Sequence, residues 1–136
     1  MEPVTVRITV EAPLEDVWEY WTSPDHITKW AFASDDWEAV DPDNDLTIGG
    51  RFNTHMQAKD GSQGFDFSGV YTAVQPLERL EYDLDDGRHV RVEFDEVPEG
   101  VDIIQSFDPE EENSIEFQKQ GWQAFLENFK KHVEHG

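Results

Sequence analysis

Residues 113–133 read NSIEFQKQGWQAFLENFKKHV, and this stretch decides the fold. Ile115, Trp122, Phe125, Phe129 and Val133 fall on one helical face, with Leu126 at its edge. Asn113 and Glu116 have the spacing of a capping box, the first as cap and the second reaching back. Glu110, Glu111 and Glu112 precede the start and Lys130 and Lys131 lie near the end, which suits the two poles of the helix dipole. A helix of about twenty residues is roughly 30 Å long, and so is a strand of about nine. This helix can therefore lie across a whole sheet.

Upstream of it the chain reads as the sheet to be covered. Val4, Val6, Ile8 and Val10 alternate with polar residues, a half-buried strand. Pro13 and the spacing of Leu14, Val17, Trp18 and Trp21 predict a short helix, with Trp18 in its core-facing part. Ser23 and Pro24 predict a second helix running to Lys29 or Trp30. Strand patterns follow over Trp37–Val40, from Gly49-Gly50 through Phe52, Thr54 and Met56, and from Phe65 to Val74. Three more cover Leu80–Leu84, Val90–Phe94 and Val101–Phe107. Residues 41–45, Asp-Pro-Asp-Asn-Asp, read as a loop. Lys59-Asp60-Gly61-Ser62 and Asp86-Gly87 are hairpin turns, and Gln75-Pro76-Leu77 breaks a strand. The fold class is α+β, a single domain over residues 1–136. A curved antiparallel sheet of six to seven strands surrounds a long C-terminal helix, with two short helices after strand 1.

Composition narrows the partners. The formal charge of the 136-residue chain is -21, and Leu, Ile, Val and Phe make up about 24% of it, above the level of about 20% at which charged chains stay unfolded. Such a charge repels phosphate backbones and anionic lipid, so no nucleic-acid or membrane partner is expected. A salt-adapted source would suit so acidic a coat, since salt screens its self-repulsion. Cysteine is absent, which removes disulfides and thiolate chemistry. The start of the chain has no basic-then-apolar leader pattern, so a cytoplasmic location is expected.

Three stretches carry a resemblance over Val4 to Val133. They are Ala12-Pro13 through Val17-Trp18 with Trp21-Thr22-Ser23-Pro24 and Trp30, then Asp45 to Phe52 with Met56 and Asp60-Gly61, and finally Gly69-Val70-Tyr71, Pro76, Glu78-Arg79-Leu80 and Gly121-Trp122. In their order and spacing they resemble the family similar to activators of heat-shock-protein ATPase, within the helix-grip superfamily of START and birch-pollen-allergen-like domains. The resemblance implies an elongated apolar pocket between sheet and last helix, holding lipid, sterol, polyketide or flavonoid-like molecules. It also implies two alternatives: a cyclase- or hydrolase-type enzyme using the same pocket, and a co-chaperone-like module with a role in stress response. Where the family often has a Glu two residues after the Tyr of Gly-x-Tyr, this chain has Ala73.

The residues themselves support binding over chemistry. Gly61-Ser62-Gln63-Gly64 is no nucleophile elbow. Asp41, Asp43 and Asp45 imitate the start of a calcium loop, but Leu46 and Phe52 stand where its Gly and Glu belong. The histidines have no metal-ligand spacing: His132 and His135 read as surface, and His55 has the parity of the outer face. No catalytic residue, metal or cofactor is assigned. The ligand-facing residues are expected to be Trp30, Phe52, Thr54, Met56, Phe67, Tyr71, Tyr82, Phe94, Gln118, Trp122 and Phe125. Gln105 is a further polar residue on an otherwise apolar face. Gly121 inside a helix is expected to serve close packing against a strand, or else to leave room for a ligand or a slight kink beside Trp122. The leading reading is a monomeric, non-catalytic binder of a small hydrophobic molecule.

Overall fold

The computed structural model describes residues 2–32 and 35–135. The element order is β1 (Val4–Val10), α1 (Leu14–Thr22), α2 (Pro24–Ile27), β2 (Trp37–Asn44), β3 (Arg51–Ala58), β4 (Gly64–Gln75), β5 (Arg79–Leu84), β6 (His89–Val97), β7 (Gly100–Phe107) and α3 (Ile115–His135). The strands form one antiparallel sheet in the order β1-β7-β6-β5-β4-β3-β2. From β2 to β7 the chain meanders through hairpins, and the last strand then pairs with the first, Val4 opposite Phe107 and Val10 opposite Val101.

Alternation does what it dictates. In β6, Val90, Val92 and Phe94 are buried while Arg91 and Asp95 are exposed. The buried face curls round α3, whose Leu126 and Phe129 are completely buried. Trp122 lies parallel to Phe107 of β7, with ring centroids 4.2 Å apart. Each such apolar side chain contributes about 1.5–3 kcal/mol by leaving water. The helix also covers the free edge of β1: the Gln123 amide donates to the Arg7 carbonyl at 3.1 Å and the Lys130 ammonium to that of Thr9 at 2.6 Å. An edge strand that would otherwise invite pairing is thus capped from within.

Four local expectations change. Strand β2 does not stop at Val40. A bulge between Val40 and Asp43, with Asp41 at φ 49°, lets it continue so that Asn44 pairs with Phe52. Helix α2 ends at Ile27 and gives way to turns through Trp30. The cap of α3 is Ser114, whose hydroxyl accepts from the Phe117 N–H at 3.1 Å. Asn113 instead turns its amide to Glu110, so the expected pairing of Asn113 with Glu116 does not form. Ile115, one residue inside the helix, is exposed rather than on the gripped face.

Candidate functional site

Between the sheet and α3 the packing leaves a cavity of about 110 Å³. Eight of its wall residues are aromatic: Trp21, Trp30, Phe52, Phe67, Tyr71, Tyr82, Trp122 and Phe125. Each comes to the wall for a local reason. Phe52, Thr54 and Met56 are successive inward residues of β3, and Phe67 is the cross-strand partner of Thr54. Tyr71 and Tyr82 face each other across β4 and β5. Trp122 and Phe125 lie one helical turn apart on α3.

The rings brace one another. Phe52 contacts Phe67, Tyr71 and Tyr82 at centroid distances of 5.8, 5.3 and 4.9 Å. Phe67 meets Trp122 edge-on at 6.2 Å. Trp21 and Trp30 each pack against Phe129 of α3, and the Trp30 indole N–H donates to the Tyr20 carbonyl at 2.9 Å. Side chains fixed by such contacts present a preformed surface.

A row of polar groups crosses this apolar space. The Tyr71 hydroxyl donates to Asn44 Oδ1 at 2.6 Å, and Asn44 Nδ2 donates to the Thr22 carbonyl at 2.7 Å. Tyr82 is hydrogen-bonded to the Gln105 side chain. Burial pushes both phenols well above their ordinary range, so both are uncharged at neutral pH. Thr54 differs. It is 6% exposed, lines the cavity, and its hydroxyl has no hydrogen-bond partner among the described residues. The ionisable side chains in the described wall are Asp43, Tyr71 and Tyr82, and none is a cation.

Nine of the eleven expected ligand-facing residues therefore gather at the cavity: Trp30, Phe52, Thr54, Met56, Phe67, Tyr71, Tyr82, Trp122 and Phe125. Phe94 and Gln118 do not. Phe94 has the right strand face but lies under α1, where Trp18 and Trp21 pack edge-on against it at 5.4 and 5.8 Å. Gln118 is buried, but its amide is consumed by the turn before α3. It donates to the carbonyls of Glu110 and Asn113 and accepts from the Glu110 N–H.

The wall also holds Trp21, Ile27, Ala31, Asp43, Asn44 and Gln105. Gln105 showed itself as a polar residue with inward parity. Asn44 and Asp43 arrive through the bulge at Asp41, which has no clear mark in the sequence. Ala73 lies just past a second irregularity, between Tyr71 and Ala73, and is not part of the wall.

Two further expectations are corrected here. A Cβ built on Gly121 would meet no heavy atom within 4 Å, so close packing against a strand is not what keeps a glycine there. His132 is not a simple surface residue. Its Nε2 lies 3.0 Å from Nδ1 of His26, whose ring stacks on Tyr20 at 4.0 Å. This pair ties α2, which carries Ile27 to the cavity, to the end of α3.

The model of the family described as "Activator of Hsp90 ATPase homolog 1-like protein" matches residues 11–134. The chain belongs to this family. Among solved structures, the AHSA1-like protein of Aeromonas hydrophila is 41% identical with a TM-score of 0.91, covering 98% of this chain and 96% of its own. Chr148 of Cytophaga hutchinsonii is 48% identical with a TM-score of 0.84, covering 97% and 92%. CV1439 of Chromobacterium violaceum, at 21% identity and a TM-score of 0.87 over the whole of both chains, shares the fold. No curated protein matches. No helix among the described residues is long and apolar enough to cross a membrane. In this AHSA1-like chain the half-barrel and its gripped helix are thus those of the family, and the cavity lies where the two meet.

Proposed function

We propose that this AHSA1-like domain binds a small hydrophobic, ring-bearing molecule in the cavity between the sheet and α3. The observation that carries the reading is the cavity itself: an aromatic wall crossed by a few oriented polar groups, the composition that a small-molecule pocket requires. Its volume of about 110 Å³ sets the scale. A dry apolar cavity of about 150 Å³ takes benzene, so this one, smaller than that, holds no more than one ring. A polyketide, flavonoid or lipid would place one end of itself in it.

Binding rather than catalysis is favoured by the wall's ionisable groups. General acid–base work needs a group that titrates near neutral pH. Tyr71 and Tyr82 are driven away from that range by burial, and Asp43 is exposed. An interaction module would be expected to show a broad apolar patch. The outer strand faces carry instead Thr5, Arg7, Glu81, Asp83, Arg91 and Glu93.

The test is titration with single-ring and larger aromatic compounds, followed by amide shifts and indole fluorescence. Shifts should cluster at Phe52–Met56, Tyr71, Trp122 and Phe125. Met56→Leu keeps volume and fold, and should change affinity less than tenfold. A full panel that leaves all of those residues unmoved would mean the cavity is only an imperfection of core packing.

A further inference from the structure

The polar groups of the wall are unequally satisfied, and that inequality defines what the cavity recognises. Tyr71 gives its proton to Asn44, and Tyr82 is engaged with Gln105. Among the hydroxyls of the wall, that of Thr54 keeps both its donor and its acceptor, on a side chain nine-tenths buried and facing the cavity from the middle of β3. The Thr54 oxygen is not sealed in the core but opens on the cavity, where the polar group of a bound molecule can reach it. Valine would fill nearly the same space on a strand but offer no such bond. The charges are as uneven. Lys, Arg and His are missing from the described wall, and the carboxylate that reaches it, Asp43, sits in the exposed part. A charged ligand entering here would leave its hydration behind and find no counter-ion inside.

We infer that the cavity selects an uncharged single-ring aromatic group carrying one hydroxyl or carbonyl, which the Thr54 hydroxyl bonds, and that it rejects carboxylates. This rests on the reading of the cavity as a binding site and names its ligand class. Ring size follows from the cavity volume, neutrality from the absence of an inner counter-charge, and the single polar group from Thr54. The ring stacks among Phe52, Phe67 and Trp122, while Met56 beside Thr54 adapts to its edge.

The experiment titrates toluene, phenol, benzoate and benzylamine into the wild-type protein and its Thr54→Val and Thr54→Ser variants at pH 7, reading amide shifts. Phenol should bind at least tenfold more tightly than benzoate or benzylamine. That gap should persist in 1 M salt, where the Debye length falls to about 3 Å and the long-range field of the acidic surface is screened. Thr54→Val should weaken phenol about three- to tenfold and leave toluene unchanged, as expected for one neutral hydrogen bond. Thr54→Ser, which keeps the hydroxyl, should preserve the wild-type ratio of phenol to toluene affinity. Benzoate or benzylamine binding as well as phenol in high salt would overturn the inference. So would a phenol-to-toluene ratio that Thr54→Val leaves unchanged. In either case the binding-site reading stands. Failure of all four probes to move the cavity residues would overturn that reading as well.

Discussion

Replacing Gly121 by alanine should make the protein more stable, and the size of the gain follows from its surroundings. Gly121 sits in the seventh position of the 21-residue helix α3, away from both ends. Glycine in a helix interior is less favourable than alanine by about 0.8–1.0 kcal/mol, because it loses more backbone freedom on folding. The gain is realised only where the new methyl has room, and here nothing lies within 4 Å of it. With an unfolding entropy of about 2.1 cal/mol/K per residue, 1 kcal/mol in a chain of this length raises Tm by roughly 3–4 °C. Gly69 supplies the opposite control. A Cβ there would come 2.4 Å from the Asp83 carbonyl oxygen and 3.1 Å from the Phe52 ring. Gly69→Ala should force β4 and β5 apart and cost about 1–3 kcal/mol, as overpacking does. Thermal melts by circular dichroism, with urea unfolding as a second measure, test both. A lowered Tm for Gly121→Ala would refute the reasoning, since it would mean that the helix is seated closer to its neighbours than the geometry allows.

Other expectations concern the turns, the caps and the histidines. Leu77 holds φ 66° in the turn closed by the Glu78 N–H to the Gln75 carbonyl. Leu77→Gly should relieve that strain and raise stability by up to about 1 kcal/mol in denaturant melts. Ser114→Ala should cost about 1 kcal/mol through loss of the α3 cap, while Glu116→Ala, outside any capping bond, should stay within about 0.5 kcal/mol. His89 is raised above its ordinary value, first by its hydrogen bond with Asp83 and also by that with Glu81. His132 is lowered, first by burial and then by electrostatic repulsion from its neighbours His26 and Lys29. Their contributions to stability have opposite signs. That of His89 is full below about pH 6.5 and fades as pH rises through its folded value. That of His132 is full above about pH 6.5 and fades as pH falls. Imidazole proton shifts followed against pH should show the two residues titrating on opposite sides of about 6.5, and coincident curves would contradict both placements.

What the sequence disclosed, and what it withheld, divides along a physical line. Features with a period could be read: the alternation of β6, the stripe of α3, and the inward set Phe52, Thr54 and Met56, which together fix a sheet curled round a helix. Features that depend on one irregular residue could not. The bulge at Asp41 carries β2 on to Asn44 and brings an amide to Tyr71, and a shift of one residue in a strand exchanges its two faces. Parity also says nothing of position along an element. Phe94 and Tyr82 both point inward, yet one lies beneath α1 and the other beside the gap. Gln118 shows a third limit, since its inward direction was right and a turn of backbone nearby satisfied it first. The same reasoning isolates Thr54. Strand parity alone placed a hydroxyl among Phe52, Met56 and Phe67, and the fold supplies it no partner. Natural sequences tend to be consistent from local preference to packing, and they break that consistency where function requires it. Under the proposed function, a hydroxyl opening on the cavity from an aromatic wall is such a break, and position 54 is then the place where stability and binding should trade against each other.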